Sequence, residues 1–337
     1  MHTGKLPPDV LRRLVLGRLG ARRPEVLVHA ALGEDAAAVA LGDEALVLTA
    51  DPITGAGRQA GWYAVQVACN DVAAMGAAPI GVLATLLFPE SADEAAVAAV
   101  AADVDRAARE LGIEVLGGHT EVAPGLQAPL ICMAAVGRAP RDRLLASANA
   151  RPGHDLVLTK ATGLEGSAIL ATDLEAHLLG RIPAETIARA QGFIAEISVV
   201  KDGSLAAGLG AAALHDPTEG GLLGAVWELA EAAGCGYEIE ASAVPIRPET
   251  RAICTVFEAD PLKLISSGAL LAAGPDGRAL AAGLRAGGVQ AAVIGRLTEG
   301  PGRWLLDGSG RHEVGPVVRD ELWRILEAYQ SRVTSDG

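Results

Sequence analysis

Apolar positions recur with two different periods along this chain, and together the two periods predict an α+β fold. Helical spacing predicts helices at Pro8–Leu19, Gly61–Gly76, Ala92–Leu111, Ser167–Ala171, Pro183–Glu196 and Gly220–Ala233. Short apolar runs predict strands at Ala37–Leu41, Ala45–Thr49, Pro79–Phe88, Val115–Leu116, Leu130–Val136, Asp155–Thr159, Gly236–Glu240, Gly268–Ala273 and Ala291–Arg296. The segment from Gly61 to Gly76 is apolar on nearly every face, so we expect this helix to be buried.

A polar, turn-rich stretch from Gly137 to Gly153 separates two halves that each mix strands and helices. The chain has 337 residues, which exceeds the size at which a single hydrophobic core usually stops growing. We therefore predict two domains, residues 1–147 and residues 148–337.

Composition narrows the possible partners. The formal net charge of -13 argues against nucleic-acid binding, which needs basic residues to neutralise phosphates. The cysteines are far apart and form no CxxC pair, so a structural zinc site is not expected. No uninterrupted run of 18 apolar residues and no signal-peptide pattern occur, which favours a soluble, cytoplasmic protein without a membrane partner.

Four acidic residues stand where an apolar element meets a turn: Asp35, Asp51, Asp71 and Asp216. Asp71 is the most informative of them, because its predicted helix is apolar and an unpaired buried carboxylate is costly. It either caps a neighbouring element or meets a compensating partner such as a metal ion. Asp51 precedes a proline, and taken on its own it is better explained by an Asx turn. Carboxylate oxygens are also the ligands that Mg2+ prefers.

The segment from Asp216 to Gly221 precedes an apolar helix and has two compatible interpretations. Thr218 or Asp216 is the N-cap, or the amides of Gly220 and Gly221 bind a phosphate at the positive end of the helix. His119 follows two glycines and is a metal ligand, a phosphate donor or a loop anchor. The chain has no Walker A sequence, so any ATP site here would depend on carboxylate-bound Mg2+.

Six motifs, in order, resemble the superfamily of aminoimidazole ribonucleotide synthetase. They are GEDAA at 33–37, TADPIT at 49–54, NDVAAMGA at 70–77, GGHTE at 117–121, TKATGLEGSAIL at 159–170 and DPTEGGLLGAVWELAE at 216–231. This superfamily also includes thiamine-monophosphate kinase, selenophosphate synthetase and the HypE-type hydrogenase maturation factors, which this chain resembles most. The resemblance implies a two-domain PurM-like α+β fold. Its N-terminal domain would form a β-barrel across a homodimer, and its C-terminal domain would hold a mixed α/β sheet.

The resemblance also implies roles for individual residues around ATP in a cleft between the domains. Asp71 and His119 are the expected catalytic residues. The expected Mg2+ ligands are Asp35, Asp51, Asp71 and Asp216, and the expected ATP-binding residues are Asp35, Asp51, Asn70, Thr120, Thr218, Gly220 and Gly221.

The chain departs from the HypE pattern at three places. His119 stands where an Asp follows the two glycines, and Glu121 stands where the pattern has Lys. HypE-type factors carry the carbamoyl group on a C-terminal Cys, whereas no Cys follows Cys254 in this sequence, so we expect no such carrier.

The leading functional hypothesis is ATP- and Mg2+-dependent phosphoryl transfer to an amide, carboxylate or phosphate oxygen of a small molecule. A protein partner in a maturation pathway also fits the resemblance. The alternatives are a nucleotide-binding regulatory or assembly protein without turnover, and a thiamine-monophosphate kinase.

Overall fold

A computed structural model describes residues 3–53 and 59–333 of the chain. Thr54, the last residue of the TADPIT motif, lies outside the described residues, and so do residues 334–337. The strands are β1 Val26–Val28, β2 Ala37–Leu41, β3 Glu44–Ile53, β4 Ala78–Phe88, β5 Glu114–Val122, β6 Leu130–Pro140, β7 Asp155–Thr159, β8 Ala213–His215, β9 Gly236–Glu240, β10 Leu271–Gly274, β11 Ala291–Thr298, β12 Arg303–Asp307 and β13 Gly310–Glu313. The helices are α1 Pro8–Leu11, α2 Ala60–Ala74, α3 Glu94–Leu111, α4 Leu164–Asp173, α5 Glu175–Leu178, α6 Ala184–Gln191, α7 Val200–Gly208, α8 Gly221–Ala233, α9 Pro248–Val256, α10 Gly277–Ala286 and α11 Glu321–Val333.

The first half of the chain builds a six-stranded sheet in the order β1-β2-β3-β6-β4-β5. Its neighbouring strands are antiparallel except β4 and β5, which are parallel. The helices α2 and α3 pack with this sheet in one core, and α2 is buried as predicted, with Val65, Ala68 and Val72 fully enclosed. Asp93 caps α3 by accepting from the amide of Ala96, and Gly112 ends that helix in the left-handed region.

The second half builds a seven-stranded sheet in the order β13-β12-β9-β11-β7-β10-β8. It is mixed, because β12 runs parallel to β9 while the other neighbouring pairs are antiparallel. Helix α8 packs with this sheet through Leu222, Val226 and Leu229.

Several predicted elements differ from the observed ones in length. The first helix is α-helical only at Pro8–Leu11 and continues as a π-helical turn through Leu16. The predicted helix at Pro183–Glu196 divides at Gly192 into α6 and a 3-10 segment. The predicted two-residue strand at Val115–Leu116 is the nine-residue strand β5.

Asn70 joins the two halves. Its side-chain amide donates to the carbonyl of Ile197 at 2.8 Å, and its Oδ1 accepts from the amide of Val199 at 2.8 Å. One turn later Ala73 packs against α7, where a Cβ on Gly203 would lie 2.4 Å from the Ala73 carbonyl oxygen. The predicted contact between Asn70 and a cofactor therefore has no support in the structure, because both polar groups of this fully buried side chain are engaged by backbone.

We expect Asn70→Ala to lower the free energy of unfolding by about 2–4 kcal/mol, because it leaves one buried carbonyl and one buried amide without partners. Chemical denaturation monitored by circular dichroism measures the change. Asn149→Ala is the matched control, because exposed Asn149 donates only to the Leu144 carbonyl and should cost less than about 1.5 kcal/mol. Equal effects of the two variants would contradict the joining role of Asn70.

Candidate active site between the two sheets

A cavity of about 690 Å³ lies between the two halves of the chain. The first half contributes the loop at Gly33, the end of β3 and one side of α2. The second half contributes the start of α4, the loop between β8 and α8, and residues 265 and 267. Residues 3–8 and 316–320 complete the wall. The predicted site residues that line this cavity are Asp35, Asp51, Asp71, Asp216, Thr218 and Gly220.

Asp51 and Asp71 share a single hydroxyl group. The Oγ1 atom of Thr49 lies 2.9 Å from Asp51 Oδ2 and 2.8 Å from Asp71 Oδ2. A hydroxyl has only one hydrogen to donate, so the second contact requires a proton on a carboxyl group or a cation beside it.

The surroundings of Asp71 favour the protonated form of its carboxyl group. Burial raises its pKa well above the ordinary Asp value, and the negative charges of Asp51, Asp35 and Asp216 raise it further. The sequence prediction that Asp71 is a buried carboxylate needing compensation is therefore consistent with its surroundings.

Asp35 is paired with a buried histidine that the sequence interpretation missed. His215 Nδ1 lies 2.8 Å from Asp35 Oδ1, and His215 Nε2 lies 3.2 Å from Glu228 Oε2. Burial alone lowers the pKa of His215, but the charge of Asp35 and the hydrogen bonds to Asp35 and Glu228 raise it to about 10. A protonated His215 thus neutralises part of the acidic cluster.

Among residues 3–53 and 59–333, no group is a hydrogen-bond partner for the carboxylate of Asp216. Both of its oxygens are buried without a hydrogen bond, while its backbone amide donates to Asp35 Oδ2 at 3.2 Å. Burial, followed by the charge of Asp35, raises its pKa well above the ordinary value. Buried polar atoms are nearly always satisfied, so these two oxygens mark a place that a ligand is expected to fill.

The amides at the start of α8 already have acceptors within the chain, and the predicted phosphate contact of Gly220 and Gly221 stays a prediction. The amide of Gly220 donates to Asp320 Oδ2 at 2.6 Å, and the amide of Gly221 donates to the Thr218 carbonyl at 3.0 Å. Asp320 also accepts from the amides of Ile265 and Leu322. A carboxylate of the chain itself therefore takes the anion position at the positive end of this helix.

Lys5 lies over the same loop. Its backbone amide donates to Glu219 Oε2 at 2.7 Å, and its ammonium donates to Thr218 Oγ1 at 3.1 Å. The ammonium also lies 3.8 Å from Glu228 Oε2. Thr218 thus helps to hold the N-terminal segment against the cavity.

His119 and Thr120 do not reach the cavity within this chain. Both residues lie on β5, an edge strand that is exposed along its whole length. The His119 side chain is 65% exposed, and its Nε2 lies 3.0 Å from Glu121 Oε2. The two glycines before it have a structural reason, since a Cβ on Gly118 would lie 1.8 Å from the Ala84 carbonyl oxygen on β4. The predicted catalytic role of His119 stays a prediction.

The carboxylates do not form a preassembled metal cage. Across residues 3–53 and 59–333, no group of three or more His, Cys, Asp or Glu side chains is arranged to hold a metal ion. The donor chemistry nevertheless fits Mg2+, which commonly uses one or two carboxylates together with waters and substrate phosphates. The two orphaned oxygens of Asp216 and the shared hydroxyl of Thr49 fit such a shared site.

Other residues around the cavity carried too weak a sequence signal to be recognised. Glu165, Glu228 and Asp320 each stand in or beside apolar helical stretches, where an isolated acidic residue normally faces solvent. His215 directly precedes the DPTEGG motif, and that adjacency was the one available signal.

Comparison with known proteins identifies relatives of the whole architecture. Residues 33–139 match the N-terminal domain of the family AIR synthase related protein, and residues 151–305 match its C-terminal domain. Carbamoyl dehydratase HypE of Rhodobacter capsulatus is 31% identical over 308 residues, which cover 89% of this chain and 88% of that protein.

Two solved structures share the fold. A HypE–HypF complex superposes with a TM-score of 0.76 at 18% identity, covering 91% of this chain and 99% of the other. HypE in complex with ATP superposes with a TM-score of 0.68 at 23% identity, covering 95% and 97%. The resemblance drawn from the motifs and the two-domain PurM-like α+β fold are confirmed. So is the expectation of an enzyme family, because relatives are named carbamoyl dehydratases. In this single chain the first sheet is open, and the dimeric barrel stays a prediction.

We expect Asp71→Asn to stabilise the metal-free protein by about 1 kcal/mol, because the amide supplies the missing donor beside Thr49 and removes one negative charge. The folded pKa of Asp71 lies above its unfolded value, so its contribution to stability is fully present below the unfolded pKa. That contribution is lost as the pH rises through the folded pKa.

Thermal unfolding in a chelator across a pH series measures this effect. The parent protein should lose stability with rising pH more steeply than Asp71→Asn. Asp142→Asn, at an exposed position, is the control and should leave the slope unchanged. Parallel slopes for all three proteins would contradict the like-charge description of the cavity.

Proposed function

Because the chain belongs to the AIR synthase related protein family, we propose that it uses ATP and Mg2+ to phosphorylate an oxygen of a small acceptor molecule. The observation that carries this proposal is the charge of the cavity. In the described part of the chain, nine carboxyl groups line it: Glu34, Asp35, Asp51, Asp71, Glu165, Asp216, Glu219, Glu228 and Asp320. Such a lining repels a bare triphosphate and favours one that arrives with divalent cations.

The four predicted aspartates hold the cation in this proposal. Asp216 has two free oxygens to offer, and Asp51 and Asp71 converge on one hydroxyl. When bound, Mg2+ supplies charge neutralisation for the phosphate oxygens. The chain itself then has to orient the nucleotide and the acceptor and to exclude water, which is most of what phosphoryl transfer requires.

A carboxamide or carbamoyl group is the acceptor class that we propose. Three relatives that share most of this chain are named carbamoyl dehydratases. Removing water from a carboxamide requires its oxygen to leave, and phosphorylation of that oxygen turns it into a good leaving group. ATP-dependent phosphoryl transfer and dehydration are thus two stages of one reaction. We also propose a maturation partner protein, because a solved relative is a HypE–HypF complex.

The open edge of the first sheet supports a homodimer. Apolar side chains stand exposed along β4 and β5, among them Ile80, Leu83 and Leu116. Exposed apolar strands at a sheet edge are normally covered by a partner. Pairing with a second copy would close the two sheets towards the predicted barrel. His119 and Thr120 would then lie at the interface between the two copies. There they would take the roles predicted for them, catalysis for His119 and ATP binding for Thr120.

Binding of a non-hydrolysable ATP analogue should depend on Mg2+, as measured by isothermal titration with and without the metal. Asp216→Asn should weaken Mg2+-dependent binding by at least the roughly tenfold that loss of an outer-sphere partner costs a metal site. This substitution breaks no side-chain hydrogen bond within the protein. Asp142→Asn should bind like the parent protein.

Metal-independent binding, or full affinity in Asp216→Asn, would refute the carboxylate–Mg2+ proposal. With ATP itself in place of the analogue, tight binding without ADP release over a long incubation would favour the regulatory alternative.

Sedimentation should show a dimer that Leu83→Glu and Leu116→Glu convert to monomers, because each variant buries a charge at the proposed interface. Leu179→Glu is the control, since Leu179 is also an exposed leucine but lies outside the first sheet. A monomeric parent protein, or a dimer that survives both substitutions, would exclude this interface.

A further inference from the structure

Glu165 is a buried carboxylate that the metal site does not use. It stands in the first turn of α4, is 7% exposed and lines the cavity. It forms hydrogen bonds with Ser267, while its Oε2 atom has no partner in the part of the chain that the structure describes.

The position of Glu165 is fixed by the packing of α4 on residues 264–267. The amide of Gly163 donates to Ser266 Oγ at 2.7 Å, and the amide of Gly166 donates to the Ile265 carbonyl at 3.1 Å. A Cβ on Gly166 would lie 2.4 Å from Leu264, so only glycine permits this close approach. The carboxylate is therefore held in the cavity wall by a rigid element, as a preorganised binding group would be.

The surroundings of Glu165 define what can approach its Oε2 atom. Asp320 and Glu219 contribute further negative charge, which disfavours an anionic group that arrives without a cation. Ile169 and Ile265 line the cavity beside it, which favours a small uncharged group. A carboxylate oxygen can only accept hydrogen bonds, so the ligand must present an N–H or O–H donor.

We propose that Glu165 binds the N–H of the acceptor carboxamide and accepts the proton that this nitrogen loses during the reaction. The inference rests on the proposed function and assigns the acceptor end of the cavity. It separates two tasks, because the four aspartates serve the metal and the triphosphate while Glu165 serves the acceptor nitrogen.

The chemistry balances with ATP as the sole co-reactant. In the first step the amide oxygen bonds to the γ-phosphorus, the bond from that phosphorus to ADP breaks, and one N–H proton passes to Glu165. In the second step the carbon–oxygen bond breaks, and its electron pair leaves with the phosphate. The carbon–nitrogen triple bond forms as the second N–H proton passes to that phosphate. Glu165 then releases its proton to solvent, leaving nitrile, ADP, hydrogen phosphate and one proton.

The protonation behaviour of Glu165 suits this role. Burial raises its pKa to about 7, the hydrogen bonds from Ser267 oppose the rise, and the charge of Asp320 adds to it. The other titratable groups that interact with it are Glu219, Asp216 and Tyr63. A carboxylate near neutrality accepts a proton readily and releases it again, which is the property required of a general base.

The first experiment measures binding by ligand-observed NMR, with S-ethyl thiocarbamate as the carbamoyl probe and a non-hydrolysable ATP analogue with Mg2+ present. Glu165→Gln should bind the probe about tenfold more weakly, the loss expected for one charge-assisted hydrogen bond. Glu313→Gln, on exposed β13, is the matched control and should bind like the parent protein. Equal probe affinity in the parent protein and Glu165→Gln would overturn the proposal, and so would a parent protein that does not bind the probe.

The second experiment follows probe-dependent release of ADP and formation of ethyl thiocyanate across a pH series. The parent kcat/KM should rise with pH through about 7, because the reaction needs the ionised form of Glu165. Glu165→Gln should lose this limb and about 10²-fold or more in kcat. Ser267→Ala should shift the limb to higher pH, since it removes a hydrogen bond that lowers the Glu165 pKa.

The two experiments separate the inference from the function on which it rests. Probe binding that depends on Glu165 without any ADP release would refute the proposed reaction and the proton transfer, and would support the carboxamide contact. Turnover with an unchanged pH profile in Glu165→Gln would overturn the assignment of Glu165 as the base while leaving the proposed function supported.

Discussion

The site depends on one constraint, which is that several negatively charged side chains are buried together in one cavity. Asp35, Asp51, Asp71 and Asp216 are drawn from both halves of the chain into one cavity, where burial makes each negative charge costly. A fold that accepts this cost has either to neutralise the carboxylates itself or to leave the task to a ligand. The contacts around the cavity divide the cluster between these two solutions.

Asp35 is neutralised by the protein, because protonated His215 bridges it to Glu228. In our proposal Asp216 is left to the ligand, since neither of its oxygens has a partner among the described residues. Asp51 and Asp71 lie between these extremes with one hydroxyl for two carboxylates. The orphaned oxygen of Glu165 lies outside the set of predicted metal ligands. In our proposals Glu165 serves the acceptor, while the aspartates serve the metal and the nucleotide.

Local patterns predicted much of the fold and several of the residues that line the cavity. The apolar period identified α2 and the hairpin of β2 and β3, and the carboxylate-before-turn pattern found all four aspartates. The pattern could not show that the side chain of Asn70 is hydrogen-bonded to the backbone of Ile197 and Val199, because these contacts span more than 120 residues of sequence. Nor could it show that Asp320 occupies the amide of Gly220, a pairing across 100 residues. Positions that line the cavity could be predicted where the local sequence determines them. They could not be predicted where contacts between distant parts of the chain determine them.

The adjacency of Asn70 and Asp71 has a mechanical consequence. One residue of α2 is bonded to the backbone of the second half, and the next residue carries a carboxylate into the cavity. A hinge that parted the two halves would break the buried bonds of Asn70 before it widened the space around Asp71. Residues 3–8 and 316–320 also line the cavity but take no part in these bonds. We therefore expect access to the cavity to change through these two segments rather than through rotation of one half against the other.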